Sequence, residues 1–144
     1  MRMRILLDSN VLLRSIQPGH PQHAEAVSAV KSLETGGHNP VVVPQVLYEF
    51  WVVATRPIAQ NGLGLPSAVA EQEIAQIRSI RDILHDDQSI LDAWLALVSK
   101  YAVLGKKAHD ARLVAAMLRH GVTHLLTFNA QDFAAPILVD FSRG

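Results

Sequence analysis

The chain has 144 residues, 49% of them hydrophobic and 18% charged, and its 13 Lys and Arg residues balance 13 Asp and Glu residues. This composition excludes an intrinsically disordered protein and fits one domain, residues 1–144, with one core. The balanced charge gives no whole-molecule attraction for nucleic acid, and the lack of cysteine excludes disulfides and thiolate metal sites. No apolar run is long enough for a signal peptide or a membrane span, so we expect a cytoplasmic protein.

The first half of the chain begins with a predicted buried strand, Arg4–Leu7. Apolar residues at helical spacing predict an amphipathic helix over residues 22–33, and the Gly-rich segment 35–39 ends it. A β-branched strand is predicted over residues 41–43. Pro44 is well suited to the first turn of a helix that continues to residue 54. The result is a strand–helix unit.

The second half contains a Pro- and Gly-rich loop at residues 57–66 and then three predicted helices. These helices cover residues 67 to about 84 with Ser67 as N-cap, residues 89–103, and residues 107–120 with Gly121 as the stop. Two strands follow, at 124–128 and 137–139. Strands separated by helices predict parallel crossovers, so we expect an α/β three-layer sandwich with a small, mostly parallel sheet of four to five strands flanked by helices.

An acid stands directly after the first strand, at Asp8. In parallel sheets, ligands bind outside the carboxyl ends of the strands, and the polar segment 127–132 follows the fourth strand in the same way. Asp8 is therefore either the N-cap of the next helix or part of a site at this edge. Asp132 taken alone is more typical of a loop or a cap.

Two further acids lie on predicted helices. Glu49 is flanked by apolar residues, where a carboxylate is costly to desolvate unless it is paired, protonated or bound to a cation; the alternative is that it faces solvent. Asp110 lies near the start of a helix, where the helix dipole and Lys106 would also favour an acid. Together with Asp8 these acids form an oxygen-only set without a His or Cys pattern, which suits Mg²⁺ or Mn²⁺.

Four motifs resemble those of the PIN-domain family, in the family's order and over nearly the whole chain. They are Asp8-Ser9-Asn10, VVVPQVLYE ending at Glu49, HDARLVAA around Asp110, and LLTFNAQDF near the C-terminus. The resemblance implies a PIN-like fold and a metal-dependent endoribonuclease that uses one or two Mg²⁺ or Mn²⁺ ions. Many members of that family are VapC-type toxins of bacterial toxin–antitoxin pairs, which implies RNA as substrate, a possible antitoxin partner and a homodimer.

The same resemblance implies roles for individual residues. Asp8, Glu49 and Asp110 match the family's three principal acids, which hold the metal and are catalytic. Ser9, Asn10 and Thr127 match polar residues that support the first acid and its turn. Asn129 stands where many members have a fourth acid, and Asp132 is a candidate substitute for that acid. Both are predicted metal ligands. Because the Asn129 amide carries no charge, it weakens the case for a second metal site more than for the first.

Basic and aromatic residues complete the predicted site and interfaces. Five basic residues are candidates for holding flanking phosphates: Lys106, Lys107, Arg112, Arg14 and Arg56. Each of them could equally be part of a solvated helix face. His109 is interpreted as a surface residue, and Trp51 and Trp94 as core or dimer contacts rather than base-stacking platforms. An antitoxin would lay a segment across an apolar groove and direct a basic residue at the acids. Apolar faces of the helices within residues 67–103 could form the dimer interface.

Two other functions remain open from the sequence. A phosphatase of the haloacid-dehalogenase kind also begins with a strand that ends in an acid, but it would need an Asp where this chain has Asn10. A non-catalytic PIN-fold module that binds RNA or a partner protein is favoured by Asn129. The presence of all three acids, Asp8, Glu49 and Asp110, argues against that module.

Overall fold

The computed structural model describes residues 2–128 and 137–140. In these ranges the strands are β1 (Arg4–Leu7), β2 (Asn39–Val42), β3 (Asp82–Ile83), β4 (His124–Thr127) and β5 (Ile137–Asp140). The α-helices are α1 (Ser9–Ser15), α2 (His23–Thr35), α3 (Pro44–Thr55), α4 (Ser67–Ile80), α5 (Gln88–Lys100) and α6 (Lys107–His120), and a short 3₁₀ helix spans Ile58–Gln60. No helix in the described parts of the chain is both long and apolar enough to cross a bilayer.

The five strands form one sheet in the order β3-β2-β1-β4-β5. The neighbours from β3 to β4 run parallel, and β5 pairs with β4 in the antiparallel sense. In the register of the central strand, Ile5 lies opposite Pro40 on one side and His124 on the other. The carboxyl ends of β1, β2 and β4 therefore meet at one edge, and the predicted mostly parallel α/β sandwich is confirmed.

The core lies on both faces of the central strands. Ile5, Leu6 and Leu7 of β1 are consecutive and all buried, which requires cover on both faces of the sheet, because neighbouring side chains of a strand point to opposite faces. Val41, Val42 and Val43 at β2 are buried in the same way. A continuous apolar run, rather than an alternating one, is what a parallel sheet between helices requires.

The helix that starts at Ser67 differs from its prediction at both ends. Pro66 occupies the N-cap position without a side-chain hydrogen bond, and Ser67 is the first helical residue, so Ser67 as N-cap is wrong. The helix also ends at Ile80 rather than at residue 84, because Arg81 is extended and the chain joins the sheet as β3. The N–H of Leu84 donates to the carbonyl of Val42 at 2.9 Å, continuing this pairing.

The loop at residues 57–66 packs back on the end of α3. The N–H groups of Leu63 and Leu65 donate to the carbonyls of Val53 and Ala54 at 3.0 and 2.9 Å, which satisfies carbonyls that the end of a helix leaves without partners. Gly62 makes this return possible, since a Cβ there would lie 1.9 Å from the carbonyl oxygen of Arg56. The loop is thus a defined extension of α3.

Candidate active site

Asp8 is both the N-cap of α1 and a member of the polar edge of the sheet. It follows β1 directly, and its own N–H donates to the carbonyl of Leu126 at 3.0 Å. One carboxylate oxygen, Oδ1, accepts from the N–H of Ser9 at 2.7 Å, and the other, Oδ2, accepts from the hydroxyl of Thr127 at 2.8 Å. The two interpretations of Asp8 therefore do not exclude each other.

Asn10 and Thr127 connect the start of α1 to the end of β4. The N–H of Phe128 donates to Asn10 Oδ1 and Asn10 Nδ2 donates to the Thr127 hydroxyl oxygen, both at 3.1 Å. Thr127 is buried, and with the Asn10 amide donating to its oxygen, its own proton is directed at Asp8. Of the three polar residues predicted to support Asp8, Ser9 and Thr127 bond to its carboxylate, and Asn10 acts through Thr127.

Glu49 and Asp110 reach the same edge from other elements. Glu49 lies in the second turn of α3, which follows β2, and Asp110 lies in the first turn of α6. Both are exposed as whole residues. The expectation that Glu49 lies among buried neighbours holds only in part, because Phe50 is buried whereas Tyr48 and Val52 are exposed. Glu49 is exposed as a residue, although its carboxyl is partly desolvated.

The electrostatics show that the three acids are near one another. Burial raises the pKa of Asp8, hydrogen bonds from Thr127 and Ser9 lower it, and the charge of Asp110 raises it further. Burial of the carboxyl also raises the pKa of Glu49; a hydrogen bond from the Gln45 side chain lowers it, and the charges of Asp8 and Asp110 raise it. Three carboxylates, one directly after β1, one on α3 and one on α6, therefore repel one another.

The three carboxylates offer hard oxygen donors to a metal ion. Within residues 2–128 and 137–140, no three Asp, Glu or His side chains are placed closely enough to coordinate one ion together. The donor set and the mutual repulsion nonetheless fit a divalent cation, since its charge offsets that of the carboxylates. Two further predicted ligands, Asn129 and Asp132, lie outside the described residues.

A buried amide beside Glu49 was missed in the sequence. Gln45 Nε2 donates to the carbonyl of His109 at 2.9 Å, and Gln45 Oε1 accepts from Arg112 Nη1 at 2.8 Å. The only local signal is a Gln four residues before Glu49 in an otherwise apolar helix. A shallow cavity beside these groups is lined by Gln45, Tyr48, Glu49, His109 and Arg112.

Three of the arginines predicted to hold phosphates already have partners. Arg112 binds Gln45 and, through Nη2, Asp86 at 2.9 Å. The guanidinium of Arg14, in the last turn of α1, donates to the Gln17 side chain at 2.7 Å, and that of Arg56 donates to the carbonyl of Asn61 at 3.3 Å.

The two lysines are placed differently. Lys106 and Lys107 are exposed at the start of α6, within one turn of Asp110. His109, beside Asp110, is exposed as expected. The two tryptophans also differ from each other: Trp94 is half-buried against the core and its Nε1 donates to the carbonyl of Ala108 at 2.7 Å, whereas Trp51 is 36% exposed on α3.

Comparison with protein families gives one match, to the PIN domain, over residues 5–136. None of the curated proteins has a sequence that matches this chain. Solved structures share the fold at low identity. The VapC20 toxin of Mycobacterium tuberculosis, described as cleaving the sarcin-ricin loop, superposes with a TM-score of 0.64 at 20% identity, covering 88% of this chain and 91% of that one.

Two toxin–antitoxin assemblies are similar to the same extent. A toxin–antitoxin complex from Klebsiella pneumoniae gives a TM-score of 0.57 at 22% identity, with 90% of each chain covered. VapBC2 from Rickettsia felis, bound to a DNA fragment of its promoter, gives 0.63 at 12% identity, covering 88% of this chain and 89% of that one. At these identities the likeness is one of fold.

Proposed function

This chain belongs to the PIN-domain family, and from that premise we propose that it is a divalent-metal-dependent endoribonuclease that hydrolyses RNA phosphodiester bonds. The observation that carries the proposal is that Asp8, Glu49 and Asp110 come from three parts of the chain and that the charge of Asp110 raises the pKa of both Asp8 and Glu49. Repulsion of this kind is unfavourable in the protein alone. It becomes favourable when a cation is bound between the acids.

Different residues of the chain would hold the metal ion and orient its ligands. Asp8, Glu49 and Asp110 would hold Mg²⁺ or Mn²⁺, with Asn129 and Asp132 as further ligands, and the Thr127 hydroxyl would orient Asp8. When bound, such an ion supplies a water of lowered pKa and neutralises charge that develops on the phosphoryl oxygens.

Lys106 and Lys107 are the better placed cations for flanking phosphates, because Arg112 and Arg14 are engaged by other side chains. Phosphate contacts need only positive charge at the edge of the site. A cytoplasmic location is part of this proposal, because RNA is the proposed substrate.

We propose further that the protein is the toxin of a type II toxin–antitoxin pair. The support is the likeness to toxin–antitoxin structures together with a suitable surface beside the acids. An apolar groove is lined by Leu47, Tyr48, Trp51, Ile74 and Ile83. Tyr48 lines both this groove and the cavity that contains Glu49, so an antitoxin segment in the groove would bring a basic side chain toward the acids.

A homodimer is the proposed assembly. Leu91 and Leu95 lie one turn apart on α5 and are 54% and 47% exposed, and Ile80 at the end of α4 is 58% exposed. These residues lie on the helices within residues 67–103, the same helices whose apolar faces are predicted to form the dimer interface. Leu91 and Leu95 are neighbours on one face of α5, and exposed apolar patches are typical of association sites.

The test of the ribonuclease is cleavage of a mixed pool of tRNA and structured RNA with Mn²⁺, with Mg²⁺, and with EDTA. We expect discrete products that require the metal and vanish in Asp8→Asn. The matched control is Asp92→Asn, which removes one exposed acid from α5 and should cleave normally. RNA binding without cleavage by the wild type would support the non-catalytic module, and the absence of both cleavage and Mn²⁺-induced thermal stabilisation would refute the metal site.

A further inference from the structure

Gln45 is a buried polar side chain, 7% exposed, one helical turn before Glu49. Its amide bridges two helices, since Nε2 donates to the carbonyl of His109 and Oε1 accepts from Arg112, both on α6. Buried polar groups are retained where their hydrogen bonds are made. This amide makes them between the helix of Glu49 and the helix of Asp110.

The bridge contacts the surroundings of both acids. On one side, Gln45 lies one helical turn before Glu49 on α3, and both residues line the same cavity. On the other side it holds the carbonyl of His109, the residue directly before Asp110. A change at Gln45 would therefore alter the position of Glu49 relative to Asp110.

Arg112 fixes which way the Gln45 amide points. A guanidinium has donors only, so the Gln45 oxygen must face Arg112, and the NH₂ group must face the His109 carbonyl. The reversed amide would direct an oxygen at that carbonyl. Arg112 is itself held by Asp86 at 2.9 Å, just beyond β3. Four groups from three parts of the chain thus define one orientation.

We propose that Gln45 is a positioning residue that sets the separation of Glu49 and Asp110 for binding a divalent cation, and that Arg112 acts through Gln45 rather than on RNA phosphate. The proposal rests on the proposed function, because it assigns the geometry of the same acidic site. Groups that orient metal ligands are worth about 10–100-fold in metal affinity or activity.

The first test compares Gln45→Met with Asn39→Leu by titration calorimetry with Mn²⁺. Each variant replaces an amide by an apolar side chain of similar size, and Asn39 also loses a hydrogen bond between two elements, its 3.0 Å bond to Asp82 near the amino ends of the strands. We expect the Mn²⁺ dissociation constant of Gln45→Met to rise about 10–100-fold and that of Asn39→Leu to stay unchanged. Equal Mn²⁺ affinity in Gln45→Met and the wild type would overturn the proposal.

Kinetics separate positioning from general damage. With RNA as substrate, kcat of Gln45→Met should fall at limiting Mn²⁺ and recover as Mn²⁺ is raised, while KM for RNA stays the same. A loss of kcat that excess Mn²⁺ does not restore would contradict the positioning role. A wild type that does not bind Mn²⁺ would refute the proposed function. A wild type that binds Mn²⁺ with the same affinity as Gln45→Met would refute only the positioning role.

Arg112→Leu gives a second and independent test, and it decides the matter if Gln45→Met does not fold. The Arg112 side chain is 34% exposed, so its loss is the milder change. A residue that acts through Gln45 should weaken Mn²⁺ binding when removed, and the double variant should be no weaker than Gln45→Met alone. A higher KM for RNA with unchanged Mn²⁺ affinity would show instead that Arg112 binds phosphate.

Discussion

At the scale of one residue, the Thr127 hydroxyl links Asn10 to Asp8. Its oxygen accepts from the Asn10 amide, so its proton is left to Asp8 Oδ2 at 2.8 Å. This hydrogen bond favours the ionised form of Asp8 against the burial that raises its pKa. An ionised, oriented Asp8 is the form that can bind a cation.

Thr127→Val should therefore lower both stability and activity, while Thr127→Ser should keep both. Valine has the same shape but leaves the half-buried Asn10 amide without its acceptor, which costs about 1 kcal/mol. We expect Mn²⁺ affinity to fall about tenfold or more because Asp8 is no longer oriented. Thermal unfolding and Mn²⁺ titration of the three proteins measure these effects, and wild-type affinity in Thr127→Val would contradict them.

Single residues differ in how far sequence can identify them. Asp8 was found because its position after a buried strand is a local signal, and Asn10 and Thr127 followed from the motif resemblance. Gln45 was not found, since its importance depends on Arg112, 67 residues away. Glu49 is identified by its apolar neighbours and by the motif resemblance, although only some of those neighbours, such as Phe50, are buried.

At the scale of elements, the ends of helices depend on contacts that a local pattern does not contain. The helix over Ser67–Ile80 was predicted to continue to residue 84, yet the last residues pair with β2 instead. A two-residue strand such as β3 is too short to show a pattern of alternating hydrophobicity, and it forms only by pairing with its neighbour β2. Helix α6, in contrast, was predicted at both ends, because Gly121 with φ of +66° ends it locally.

Gly62 gives the prediction at this scale. Gly62→Ala places a Cβ against the backbone of Arg56, which cannot move aside as a flexible side chain would, so the return of the loop onto α3 must open. We expect a loss of stability of about 1–3 kcal/mol, the range of steric overpacking. Gly19→Ala is the matched control, as nothing lies within 4 Å of the added atom, and it should leave the stability unchanged or slightly higher.

Thermal unfolding of the two alanine variants measures this difference. An unchanged midpoint in Gly62→Ala would mean that the loop does not pack as described. Because the loop follows α3, which also contains Glu49, the same variant shows whether loop shape affects RNA cleavage.

At the scale of the whole molecule, function depends on topology more than on any local feature. Asp8, Glu49 and Asp110 are separated by 41 and 61 residues in the printed sequence, yet parallel crossovers bring the carboxyl ends of β1 and β2 and the start of α6 to one edge. The alternation of strands and helices predicts the parallel sheet and its carboxyl edge, whereas the grouping of the three acids also rests on the motif resemblance. The antiparallel β5 extends the sheet beyond β4 without altering that edge.

The association of two chains is the property that sequence could not separate from core burial, and the structure makes it testable. Leu95→Glu puts a charge on the exposed apolar face of α5, which would be desolvated in an interface but remains hydrated in a monomer. We expect the wild type to have twice the chain mass by light scattering and the variant to have the chain mass. Val27→Glu, on α2 at a similar exposure of 44%, should not change the mass. A monomeric wild type would refute the dimer. Dissociation by Val27→Glu alone would place the interface away from α5.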